Sequence, residues 1–244
     1  MLGMVTTHDP GTSGIRDISV ALGGGIKEDS LFLIEGEART GKSVLSQHIA
    51  FGVLSSRGSA VAYYSTDCNS IALLARMESM SLDARHDVAT DRFRVFKMGA
   101  YNVQKDARKS LDIIMRHVNE LPDRFKLVII DSPSTFMARV PPTSKVDFLQ
   151  ACKELCIEER SVVLVLDTHV FEKKTLSRAF AMSDYYLRLK SQDMILEKGQ
   201  IDTRVIKLLE VKKLAGVERW QEGLKFEIKP VVGIQILPFV HVKI

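Results

Sequence analysis

The chain has 244 residues, 45% of them hydrophobic and 26% charged, with a mean hydropathy near zero. This composition excludes intrinsic disorder and allows one large α/β domain that buries roughly 70–75% of the surface its unfolded form exposes. The net charge of +4, from 34 Lys and Arg against 30 Asp and Glu, is too small to argue for a nucleic-acid partner.

No run of about 18 apolar residues is present to span a bilayer, so contact with a membrane is expected only through partners. Residues 1–13 read as a flexible tail. The start through Gly14 is polar, contains Pro10, and lacks the basic segment and apolar run of a secretory signal, so a cytoplasmic address is expected. The three cysteines, Cys68, Cys152 and Cys156, are few and odd in number, as in reduced compartments. Cys152 and Cys156 share one helix face and form half of a metal-ligand pattern, with nothing nearby to supply the other half.

Residues 14–244 read as a single domain. Gly23, Gly24 and Gly25 mark a turn. Ser30 to Glu35 is a short apolar run bounded by turn signals, the pattern of a strand buried on both faces. From Ser43 to about Leu54 the residues Val44, Leu45, Ile49, Ala50, Val53 and Leu54 fall at helical spacing, predicting an amphipathic helix. The alternation continues with a strand at 60–65, a helix at 70–81, a strand at 93–98 and a helix at 103–119. Next come a strand at 126–131, a helix at 145–158 and a strand at 162–167. Strands alternating with helices of this length predict a mostly parallel sheet covered on both faces. Beyond about Leu176 the pattern shifts to short β-branched or alternating runs at 185–190, 193–196, 205–209 and 226–236. These predict antiparallel strands, spanning about 185–238, appended to the sheet edge. No internal repeat is visible.

The strongest chemical signal is Gly36-Glu37-Ala38-Arg39-Thr40-Gly41-Lys42-Ser43, which matches G-x-x-x-x-G-K-[ST] in full between a strand and a helix. Gly36 and Gly41 let the main chain turn its N–H groups toward one concavity, where the helix N-terminus adds partial positive charge for a phosphate. Lys42 then neutralises the β- and γ-phosphates of a nucleoside triphosphate, and the Ser43 hydroxyl takes one position on Mg²⁺. Such a site also needs a strand-end carboxylate for the metal. Asp131 after Leu127-Val128-Ile129-Ile130, and Asp167 after the apolar run from Val162, fit alike; either also suits a turn cap.

The glycine run with Leu22 and Ile26, the run from Ser30 to Glu37, and Thr40-Gly41-Lys42-Ser43-Val44-Leu45-Ser46-Gln47 resemble the KaiC-like branch of the RecA superfamily. Within that branch they are most similar to the archaellum accessory ATPases of the archaeal flagellar motor. Tyr64-Ser65-Thr66, Ile129-Ile130-Asp131-Ser132 and the ending Phe226 to Pro230 with Gly233, Ile234 and Pro238 extend the resemblance over about residues 14–238. It implies a RecA-like P-loop core that binds ATP and Mg²⁺ through residues 36–44. Asp131 becomes the Mg²⁺-linked carboxylate, Thr168 a sensor beside His169, and Asp167 a bystander. It also implies a ring of identical subunits, and partners among the motor ATPase, membrane platform and ring scaffold of the archaellum, at a site peripheral to the membrane.

Three departures from the family pattern bear on hydrolysis. Asp67 stands where relatives carry a water-activating glutamate, one methylene shorter, and it also suits an N-cap for the helix from Ser70. A misplacement of about 1 Å can cost on the order of 100-fold in rate. In Lys213-Leu214-Ala215-Gly216 the lysine expected to reach a neighbour's nucleotide is kept, with Lys212 as an alternative, while Ala215 stands in place of an arginine. An arginine finger is typically worth about 10³–10⁵ in turnover. Arg39 replaces a common glycine of the loop. Together these imply an ATP-binding regulator with slow or negligible hydrolysis. Two rivals stand beside it: a single-domain autokinase of the KaiC type, and a DNA-dependent ATPase using Lys173, Lys174 and Arg178.

Overall fold

The computed structural model describes residues 7–8, 18, 26–55, 59–99, 106–194, 204–214 and 223–237. Gly23 to Gly25, Ala215, Gly216 and Trp220 lie outside them. In chain order the elements are β1 (Thr7–His8), β2 (Ile26–Lys27), β3 (Leu31–Gly36), α1 (Lys42–Ser55), β4 (Ala60–Ser65), α2 (Ser70–Glu78), α3 (Arg85–Ala89), β5 (Phe93–Lys97) and α4 (Ala107–Asn119). They continue with β6 (Phe125–Asp131), α5 (Ser134–Met137), α6 (Pro142–Ile157), β7 (Ser161–Asp167), α7 (Lys173–Met182), β8 (Tyr185–Met194), β9 (Arg204–Lys213), β10 (Leu224–Lys229) and β11 (Gly233–Ile236).

β1 pairs with β2, so Thr7 and His8 of the polar start form a short antiparallel bridge. The main sheet has nine strands in the order β11-β10-β9-β8-β3-β7-β6-β4-β5. β3 through β8 run parallel, and β9, β10 and β11 are added antiparallel. β8 departs from the sequence expectation, because it lies parallel beside β3, pairing from Phe32↔Tyr185 to Gly36↔Leu189. The reason is α7, the crossover that returns the chain from β7 to β8. Its segment is rich in Lys, Arg and Ser, with few buried positions, Thr175 and Ala179 among them, so helical periodicity is faint there. β8 and β9 are also longer than their apolar runs suggested, since an edge ribbon needs only one buried face.

Alternation along each strand divides the core. Phe32 and Ile34 of β3 pack with α1 and α2 in one cluster, while Leu31 and Leu33 pack with α4, α6 and α7 in the other. Both faces are covered, which is why the parallel strands read as unbroken apolar runs. α1 is not amphipathic in place. Leu45, Gln47, His48, Ile49, Gly52 and Val53 are all buried, because the C-terminal strands cover the side of α1 that a two-layer arrangement would leave in water. Ile234 of β11 and Phe226 of β10 join its cluster. A helix buried all round loses its polar stripe.

Candidate functional site

Strand register brings the site residues together. Gly36 is paired with Asp167 and with Leu189, Ser65 with Asp131, and Asp131 with Val165. The carboxyl ends of β3, β4, β6 and β7 therefore form one rim, where ligands of open α/β sheets bind.

The loop between β3 and α1 is built on three unusual main-chain positions. Gly36 admits no side chain: a Cβ there would lie 2.6 Å from the Leu189 carbonyl oxygen and 2.7 Å from Thr40 Oγ1. Gly41 has φ 99°, and a Cβ would meet Ile228 Cδ1 at 2.8 Å. Arg39 has φ 64°, the left-handed region where glycine carries no steric penalty, which accounts physically for a glycine being common there. Arg39 is exposed, as are Glu37 and Ala38, and its carbonyl accepts from Lys207 Nζ of β9 at 2.6 Å. Thr40 is buried and its hydroxyl donates to the Glu37 carbonyl at 2.8 Å. Gly41 starts the helix by accepting from the Leu45 N–H at 2.9 Å, and Val44 is partly buried against the α1 side of the core.

Lys42 is buried, and its ammonium donates to the carbonyls of Gly36 (2.8 Å) and Glu37 (2.7 Å). It also lies 3.1 Å from Asp167 Oδ1. Asp167 is therefore part of the site and not the bystander the resemblance implied. Ser43 Oγ donates to Asp131 Oδ1 at 3.1 Å. The other carboxylate oxygen accepts from the Tyr63 hydroxyl at 2.5 Å, and that hydroxyl also contacts Ser46 Oγ at 2.8 Å. Burial holds the Asp131 carboxyl above the usual carboxylate range, opposed by the hydrogen bonds from Tyr63 and Ser43 and reinforced by the charge of Asp67. Tyr63 is pushed well above its ordinary value by burial and then by the Asp131 charge.

The ends of β4 and β6 are stitched together. The Thr66 N–H donates to the Asp131 carbonyl (2.9 Å), and the Ser132 N–H donates to Thr66 Oγ1 (3.3 Å), across a cis peptide bond between Asp131 and Ser132. Asp67 follows directly, exposed. It is not the helix cap that its position allowed, because Asn69 caps α2 by accepting from the Ala72 N–H at 3.0 Å. Thr168 lies beside the loop, its N–H donating to the Gly36 carbonyl at 3.2 Å.

Lys213, expected to reach a neighbouring subunit's nucleotide, lies away from the phosphate loop of its own chain. Its ammonium donates to the Phe180 (2.8 Å) and Ala181 (3.0 Å) carbonyls at the end of α7, and burial lowers its pKa. Lys173, Lys174 and Arg178 are exposed on α7. Cys152 and Cys156 are buried, and burial pushes the Cys156 thiol up to about 12, so it stays protonated.

Tyr63 and Lys207 were missed as site residues from sequence, whereas Asp167 was one of the two strand-end carboxylates its pattern offered. Two grooves of about 480 and 470 Å³ lie elsewhere, between α4 and α6 and against α7, and no residue of the phosphate loop lines either. Charge and main-chain geometry mark this site.

The donor set suits a nucleotide and a hard cation: a glycine-bounded loop at a helix N-terminus, a buried ammonium, and a serine hydroxyl bonded to a strand-end carboxylate. Comparison with known proteins agrees. Archaeal flagellar ATP-binding proteins FlaH from Sulfolobus acidocaldarius and Methanocaldococcus jannaschii are 24% and 25% identical to this chain, covering 93% and 90% of it and 96% and 91% of their own lengths. The DNA repair and recombination protein RadB of Pyrococcus furiosus is 24% identical over 80% of this chain and 83% of its own. The crystal structure of the flagellar accessory protein FlaH from M. jannaschii superposes with a TM-score of 0.78 at 22% identity, covering 96% of this chain and 100% of that one. The family model described as "ATPase: KaiC" matches residues 11–240, and the chain belongs to that KaiC family of ATPases.

Proposed function

We propose that this protein is an ATP-binding regulatory subunit of an archaeal flagellar motor complex, in which Mg·ATP binding controls assembly and hydrolysis is slow or negligible. The observation that carries the reading is the contrast within one rim. The binding half of the site is assembled in a single chain, while the hydrolytic half rests on one short, exposed carboxylate, Asp67. Likeness to two FlaH proteins over nine-tenths of the chain supplies the motor context.

In this reading the loop N–H groups of residues 37–43 hold the phosphates and Lys42 donates to the β- and γ-phosphate oxygens. Ser43 Oγ and Asp131 would hold Mg²⁺, which would offset phosphate charge. Asp67 takes the proton of an attacking water but falls about one methylene short of a glutamate's reach, a deficit on the order of 100-fold in rate. Assembly into a ring of identical subunits is part of the proposal, with Lys212 or Lys213 facing a neighbour's nucleotide. For Lys213 that role requires release from the end of α7.

Nucleotide titration with and without Mg²⁺, followed by turnover of wild type, Lys42→Ala and Asp67→Glu, tests the reading. Binding should be lost in Lys42→Ala, and turnover should rise in Asp67→Glu. Fast, equal turnover in wild type and Asp67→Glu would refute it, as would DNA-stimulated turnover, which would favour the RadB likeness. Phosphate transfer to a Ser or Thr of the chain would favour the autokinase.

A further inference from the structure

We infer that Asp167 is an internal competitor for the phosphate loop: its carboxylate and the terminal phosphate of a bound nucleotide contend for the ammonium of Lys42, so that Asp167 sets the affinity of the site. The inference rests on reading the loop as a nucleotide site. A lysine ammonium has three N–H donors and no more. Here two are given to the carbonyls of Gly36 (2.8 Å) and Glu37 (2.7 Å), and the ammonium is ion-paired with the Asp167 carboxylate at 3.1 Å.

A phosphate oxygen that approaches Lys42 contends with these three partners for its charge and its donors, and the three are not equally free to leave. Gly36 is fixed in ladders with both β7 and β8, and its carbonyl also accepts from the Thr168 N–H. The Glu37 carbonyl is tied to Thr40 Oγ1. Both belong to the main chain that shapes the loop. Asp167 reaches Lys42 with a side chain that is 54% exposed, against 9% for the lysine, so rotation about its side-chain bonds releases it into water.

The main chain of Asp167 is held independently of that carboxylate, by pairing with Gly36 and by its N–H donating to Ser134 Oγ at 2.9 Å. Removing the charge therefore leaves the strand end in place. Once displaced, the carboxylate stays near the phosphates, and its repulsion grows with their charge. The penalty is larger for a triphosphate than for a diphosphate.

The test is equilibrium titration of the full chain with Mg·ATP and Mg·ADP for wild type, Asp167→Asn, Asp167→Glu and Lys42→Ala. A half-exposed ion pair predicts Mg·ATP binding about two- to fivefold tighter in Asp167→Asn, a smaller gain for Mg·ADP, and no gain in Asp167→Glu, which keeps the charge. Unchanged or weaker Mg·ATP binding in Asp167→Asn would overturn the inference, as would an equal gain in Asp167→Glu, while leaving the nucleotide site standing. If wild type and Asp167→Asn both bind no better than Lys42→Ala, the nucleotide reading itself fails and takes the inference with it.

Discussion

His48 makes the fold acid-sensitive at a point remote from any carboxylate chemistry. It lies on α1, buried, with its ring against the turn at Gly233. The Ile234 N–H donates to His48 Nε2 at 3.3 Å, so the neutral ring carries its proton on Nδ1, and Nδ1 is buried without a hydrogen-bond partner. Protonating Nε2 would break the Ile234 bond and leave a cation buried. Burial accordingly lowers the His48 pKa from 6.5 to about 4.

Between those values the unfolded chain takes up a proton and the folded chain does not. The contribution is complete above the unfolded value and is lost as pH falls toward the folded one. Carrying the pKa from 6.5 to about 4 amounts to about 3 kcal/mol in full, of which about 2 kcal/mol disappears between about pH 7.5 and about pH 5. Urea unfolding of wild type and His48→Gln at both pH values measures it. Glutamine does not titrate and retains an acceptor for Ile234, so wild type should lose about 2 kcal/mol more than the variant. Equal losses would refute the assignment of the acid sensitivity to this ring.

Three further substitutions probe the site and its supports. Gly233→Ala places a Cβ 2.4 Å from His48 Nε2 at φ 75°, and since His48 is walled in, a loss of about 1–3 kcal/mol in urea unfolding is expected. Tyr63→Phe removes the donor to Asp131 Oδ2 (2.5 Å) and the contact with Ser46. It should cost about 1–3 kcal/mol and shrink the gain in ATP affinity that Mg²⁺ provides, with EDTA titrations showing Mg²⁺-free binding retained. Arg39→Gly relieves a left-handed residue and should stabilise by about 0.5–1 kcal/mol, read as a raised Tm; a lowered Tm would show that the Lys207 contact depends on more than the Arg39 carbonyl.

The parallel core and the phosphate loop were legible because their signals are local. An apolar run is a buried strand whatever lies beside it, and Gly36 to Ser43 carries its meaning in spacing alone. What was not legible depends on distant pairings. Asp131 and Asp167 read identically, and the register of β7 against β3 and β6 separates them, giving Asp131 the Ser43 hydroxyl and Asp167 the lysine. α7 escaped notice because a crossover helix on the outer layer buries little. α1 seemed to require a solvent face until β10 and β11 were placed over it. The roles of Tyr63 and Lys207 exist only once the strands carrying them are side by side.

The antiparallel strands are more than an edge decoration, because they touch the loop itself. Lys207 of β9 holds the Arg39 carbonyl at the loop's left-handed turn. Ile228 of β10 lies where a side chain at Gly41 would go. β11 rests on His48, six residues into the helix that the loop opens. The turn between β10 and β11 is in turn tied to the end of α2, with the Val231 N–H donating to the Ser79 carbonyl at 2.7 Å and Ser81 Oγ donating to the Val231 carbonyl at 2.5 Å. α2 begins at Ser70, and its cap Asn69 lies two residues after Asp67. A path of main-chain and side-chain contacts thus runs from the phosphate loop through β9, β10 and β11 to α2, which starts beside the candidate water-activating residue. Any change at the loop would meet the C-terminal strands by direct contact, at Lys207 and Ile228. Under the proposed function, these strands are the element that would carry a change at the loop toward α2 and Asp67.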